Sequence, residues 1–142
     1  MAVHSAHDLS LDVFVPKELQ GKPKKRTEWA IDQMKKAAMV SRRLGLKPHA
    51  TFSGSLLWPM VHPWPQQPNG LVETGFKELA TRWLPILDTF NSQGVDGCYE
   101  VHPVENIHDG DTFERFREAT GNHTRVNLLY DPSHVVSQKV DY

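Results

Sequence analysis

The chain is 142 residues long, about one domain, and its 39% apolar and 23% charged residues describe a folded protein rather than a disordered one. Sixteen basic against 17 acidic side chains leave a net charge of −1, so no global positive field draws in nucleic acid or an anionic membrane. The single cysteine, Cys98, excludes an internal disulfide framework and fits a reducing cytoplasm, and no apolar run approaches the ~20 residues that span a bilayer.

Met1 to Ser10 lacks the charged and apolar regions of a signal peptide, and Val3 to Ala6 is a candidate first strand. The first helix is expected from Thr27 to Leu44, with Thr27 as its N-cap. Ile31, Met34, Ala38 and Ser41 form one buried stripe, and Gly45 is the expected left-handed residue that closes the helix. A strand over His49 to Ser53 leads into a proline-rich loop, Gly54 to Gly70, carrying Trp58 and Trp64. The second helix is expected from Leu71 to Ser92. Val72, Phe76, Leu79, Trp83, Ile86 and Phe90 keep helical spacing there, while Pro85 removes one backbone donor. Asp96 to His102 reads as the next strand and Thr112 to Thr120 as a third helix, with Phe113 and Phe116 inward. Arg125 to Asp131 is the last clear strand.

Strands alternating with helices imply an α/β fold with parallel strands and right-handed crossovers. Either a doubly wound sheet or a partial (β/α) TIM barrel satisfies this order. A complete barrel takes about 250 residues, so about four strands with three crossover helices make half of one. Such a half has open sheet edges, and self-association into a homo-oligomer is one way to cover them.

Side chains alternate across a strand. Cys98, Glu100 and His102 share one face, with Tyr99 and Val101 on the other. Asn127, Leu129 and Asp131 likewise share a face, and Leu128 and Tyr130 are expected to pack against helices. Glu100 and Asp131 therefore end neighbouring parallel strands on the same side, at the end where α/β proteins place their sites. His102 and His134 lie just beyond. Two carboxylates and two imidazoles suit a divalent cation, Mn²⁺, Mg²⁺, Co²⁺ or Zn²⁺. The plainer alternative is that Glu100 caps a loop and Asp131 starts the turn before Pro132.

Other features carry less. Lys22 to Arg26 is basic but short, and reads as a solvated loop. Neither Ser53 nor Ser55 has a sequence partner that marks a hydrolase, and no glycine-rich phosphate loop occurs. Cys98 reads as barrel filler rather than a nucleophile.

Several segments, in order, resemble the sugar phosphate isomerase/epimerase family, the xylose isomerase-like TIM barrels. They are His49-Ala-Thr-Phe-Ser-Gly54, Trp58-Pro59, Pro63-Trp64-Pro65, Arg82-Trp83-Leu84-Pro85-Ile86-Leu87, Cys98-Tyr99-Glu100-Val101-His102-Pro103 and Leu129-Tyr130-Asp131-Pro132-Ser133-His134. The resemblance implies a barrel with a divalent metal at its C-terminal mouth, holding the carbonyl and hydroxyl oxygens of a sugar or sugar-like polyol. Carboxylates then move a proton beside the carbonyl, through an enediolate. By that resemblance Glu100 is a metal ligand and acid/base, Asp131 a ligand, His134 a substrate contact, and His102 a second substrate-side or orienting residue. Trp58 is a candidate wall over the sugar, its alternative being a packed surface loop. His4 is a further candidate contact, its alternative an ordinary loop histidine.

The family's remaining metal ligands, a His and a second Glu, belong to later strands than this sequence contains. The sequence thus resembles the middle of the barrel, truncated at both ends, and the chain alone is expected to be inactive. Two other functions stay open: a non-catalytic, partner-binding fragment, and a metallo-endonuclease of the same superfamily. The balanced charge weighs against the second, which needs a basic groove.

Overall fold

The computed structural model describes residues 15–56, 69–103, 105–137 and 139. The expected strand Val3 to Ala6, His4 and Trp58 lie outside them. A short 3-10 turn, Lys17–Leu19, precedes α1, Pro23–Arg43. Strand β1 is Pro48–Thr51, α2 is Leu71–Gln93, β2 is Asp96–Glu100, α3 is Gly110–Ala119, β3 is Val126–Leu129 and α4 is Pro132–Ser137.

The first helix starts earlier than expected because Pro23 takes an N-terminal position, where its missing N–H costs nothing. Thr27 is therefore not a cap. It lies inside α1, its hydroxyl donating to the Pro23 carbonyl at 3.1 Å. Gly45 closes α1 as expected: at φ 70° it lets the Leu46 N–H reach back to the Ser41 carbonyl, 2.9 Å away. Gly94 ends α2 likewise, with Val95 N–H on the Phe90 carbonyl at 2.9 Å. Helix α2 continues through Pro85 to Gln93. Asp109 caps α3, its carboxylate accepting from the Thr112 N–H at 2.8 Å. Burial alone would raise the Asp109 carboxyl pKa, but the Thr112 hydrogen bonds outweigh it and hold the group below its ordinary value.

Among the described residues the sheet has three parallel strands in the order β1-β2-β3. Ala50 stands level with Cys98, and Cys98 with Asn127. One face is covered by helices. His49, Thr51, Gly97, Tyr99 and Val126 are buried there, and Tyr99 packs edge-on against Trp83 and Phe116, with centroids 4.9 and 5.1 Å away. Phe76, Leu79, Trp83, Ile86, Leu87 and Phe90 of α2 and Met34 and Ala38 of α1 complete this core. Gly97 serves a close approach: a Cβ there would lie 3.1 Å from the Arg125 carbonyl oxygen. The opposite face, with Ala50, Cys98, Glu100, Asn127 and Leu129, is half-buried.

The strands are shorter than the alternation suggested. Val101 and His102 leave β2, whose neighbour His102 turns into a loop closed by its own N–H on the Ile107 carbonyl, 3.1 Å. Leu128 and Tyr130 do not pack under helices as expected. They are 46% and 55% exposed, although Leu128 stands level with the fully buried Tyr99. The helix layer that covers β2 reaches Val126 at the start of β3 but not Leu128. Arg125 ties the other end of the sheet together, donating to Asp96 Oδ1 at 2.7 Å and to Asn91 Oδ1 at 3.0 Å.

Candidate metal centre

Glu100 is the last residue of β2, and its register partner on β3 is Leu129. Asp131 is two residues further along, just past the end of β3. The chain turns there into α4: Asp131 Oδ1 accepts from the Ser133 N–H at 2.8 Å, and the His134 N–H reaches the Asp131 carbonyl at 3.3 Å. This one turn swings His134 back over the strand ends. Its Nε2 lies 3.1 Å from Glu100 Oε1 and 3.8 Å from Asp131 Oδ2.

Glu100, Asp131 and His134 each offer one ligand atom, and these three atoms lie within 4.8 Å of one another. All three residues are half-buried, so a cation could enter from solvent. Two hard oxygens and a borderline nitrogen fit Mn²⁺, Mg²⁺, Co²⁺ or Zn²⁺, and the spacing is close enough for a single ion to draw them together. The Asp131 carboxyl is held below its ordinary pKa, first by hydrogen bonds from the Ser133 hydroxyl and N–H, then by the His134 and His102 imidazoles. It thus stays ionised, the form that binds a metal.

His102 stands behind the cluster. Its ring meets His134 edge-on at 4.3 Å and Phe52 at 5.4 Å. The sequence reads it as a substrate-side or orienting residue, and the structure brings it against His134 rather than among the three ligand atoms. His134, read as a substrate contact, lies directly on Glu100.

Sequence reasoning missed a layer of polar residues behind these. Ser53 is fully buried, Asn106 fully buried and Glu105 only 2% exposed. The Ser53 hydroxyl meets Ile107 N–H at 2.9 Å, the Gly54 carbonyl at 3.3 Å and Glu105 Oε2 at 3.5 Å, which is no hydrolase pairing. The one available signal was a serine and a glycine at the end of an apolar strand.

Consecutive parallel strands with a carboxylate–imidazole cluster at their C-terminal ends are consistent with part of an α/β barrel. The profile of the xylose isomerase-like TIM barrel family matches residues 2–141, and the chain belongs to that family. A comparison with curated proteins gives no match. Among the described residues no helix is long and apolar enough to cross a membrane.

Proposed function

We propose that this chain carries part of the site of a sugar isomerase or epimerase, acting on a sugar or sugar-like polyol with the help of a divalent cation. The observation that supports the reading is the convergence of Glu100, Asp131 and His134 at the ends of adjacent parallel strands. Bound there, a cation would polarise the carbonyl and neighbouring hydroxyl oxygens of the substrate and stabilise the charge of an enediolate.

The chain's own groups divide the remaining work. Asp131 stays anionic and supplies an oxygen. His134 Nε2, three residues on, lies 3.1 Å from Glu100 Oε1, and with a cation bound that same nitrogen would turn to it as a ligand. Glu100, half-buried at the end of β2, would serve both as a ligand and as the base for the proton beside the carbonyl. Epimerisation needs a proton delivered from the opposite face of the carbon. Among the described residues, Glu100, Asp131 and His134 form the one cluster of this kind. The 142-residue chain by itself is expected to bind metal and to turn over no sugar.

Calorimetric titration with Mn²⁺, alongside a screen of ketoses for turnover, tests this. Saturable binding at one site, without turnover, is the expected result. Absence of any binding would overturn the metal reading, and turnover by the chain alone would overturn the claim that it is inactive.

A further inference from the structure

The geometry points to Ser53 as a positioning residue for the imidazole pair His102–His134, an inference that rests on the metal reading above. Ser53 follows β1, a strand that places no ligand atom in the cluster, and it is fully buried. Two separate routes connect it to His102.

The first route runs through the backbone of the β2–α3 loop. The Ser53 hydroxyl accepts from Ile107 N–H at 2.9 Å. The Ser53 carbonyl accepts from Asn106 Nδ2 at 3.1 Å, and the Gly54 carbonyl accepts from Asn106 N–H at 2.7 Å. That same loop closes on His102 twice, His102 N–H to the Ile107 carbonyl at 3.1 Å and Glu105 N–H to the His102 carbonyl at 3.0 Å. The second route runs through a ring. Phe52, the residue before Ser53, meets the His102 imidazole edge-on at 5.4 Å.

Ser53 is itself anchored to the helix layer, its carbonyl also accepting from Trp83 Nε1 at 3.1 Å. The core thus grips Ser53, Ser53 grips the loop, and the loop together with the adjacent Phe52 ring holds His102. His102 stands against His134 at 4.3 Å, and His134 is the group that reaches Glu100. Groups behind a ligand fix its orientation and are worth roughly 10–100-fold in metal affinity.

Ser53→Ala removes the acceptor of the Ile107 N–H, and Ser53→Cys keeps the shape while weakening that acceptor. Phe90→Leu, a core change at the other end of the strands, serves as the control for lost stability. Two readouts apply: ring chemical shifts of His102 and His134 without metal, and Mn²⁺ affinity by calorimetry. Both Ser53 variants are expected to move the two ring signals and to weaken Mn²⁺ binding, Ser53→Ala by less than the roughly 10-fold typical of a group that touches a ligand directly. Phe90→Leu is expected to do neither. Ring signals unmoved in the Ser53 variants, unchanged affinity in them, or equal effects from Phe90→Leu would each overturn the inference. Should the unaltered chain bind no Mn²⁺, the metal reading fails, and the ring signals still decide whether Ser53 places the imidazoles.

Discussion

His134 Nε2 lies 3.1 Å from Glu100 Oε1, joining the first turn of α4 to the last residue of β2 across 34 positions of sequence. The contact needs three separate arrangements at once. The parallel register puts Glu100 level with Leu129, the chain runs two residues past the end of β3 to Asp131, and the first turn of α4 brings His134 back. Each ligand atom of the candidate centre thus comes from a strand end or from the turn directly after one.

Glu100→Gln keeps the shape of the side chain and removes its charge. Mn²⁺ affinity is expected to fall by at least roughly 100-fold, since even groups behind a ligand account for 10–100-fold. Circular dichroism and the urea midpoint without metal should change little, because the residue is half-buried at a strand end and not in the core. Unaltered Mn²⁺ binding by this variant would remove Glu100 from the ligand set.

Tyr99 is fully buried, yet its hydroxyl has no hydrogen-bond partner among the described residues. Burial pushes its pKa well above the ordinary value, so it stays neutral. Tyr99→Phe removes a desolvated polar group and leaves the edge-on contacts to Trp83 and Phe116 intact. The variant should match the parent or gain up to about 1 kcal/mol in urea unfolding. A loss of more than about 1 kcal/mol would show that the hydroxyl has a buried partner such as an ordered water.

His49 couples stability to pH. Burial lowers its pKa below the ordinary 6.5; its Nδ1 lies 2.8 Å from the Ser41 hydroxyl, and its ring packs edge-on against Phe90. The unfolded chain therefore binds this proton more readily than the folded one. The contribution is complete above about pH 6.5 and is lost as pH falls toward the folded-state value. His49→Gln can still bond Ser41 but does not titrate. Its stability should fall less steeply than the parent's when urea midpoints are compared from about pH 7.5 to about pH 5. Parallel slopes would mean that His49 is not the coupling group.

Arg125 clamps β2, β3 and α2 at the end of the sheet away from the candidate centre, pairing with a half-buried Asp96. Arg125→Ala leaves that carboxylate with only the longer Lys47 contact at 3.8 Å. The expected cost is about 1–3 kcal/mol of stability, with Mn²⁺ affinity of the folded protein unaltered. A large loss of affinity would show that the two ends of the strands are mechanically linked.

Much of this architecture was legible from short-range pattern. Helical spacing from Val72 to Phe90 marked the buried face of α2, and Phe116 is fully buried as its spacing required. Strand alternation separated Glu100 from Tyr99, which is half-buried on one face against fully buried on the other. Boundaries were less legible. Pro23 extended α1 by a turn that a threonine cap had seemed to exclude, because a proline at a helix start forgoes a hydrogen bond that the position does not make.

Leu128 shows where pattern stops. It occupies the same face as Tyr99, one strand away, and alternation treats the two alike, yet one is 46% exposed and the other fully buried. The difference lies in which helix crosses above each strand, and no residue near Leu128 encodes that.

The amino-acid sequence by itself determined the α/β order, the parallel strands, the core-facing residues of α2 and β2, and the placement of Glu100 and Asp131 at or just past strand ends. These follow from periods of two and of 3.6 residues, which act within a few positions of the chain. Only the tertiary structure decided that His134 reaches Glu100, that His102 leans on His134, and that Ser53 grips the loop behind them. Those contacts span from 32 to 54 positions, and their distances are set by how α2 and the strand ends pack, a matter of ångströms that no local pattern records.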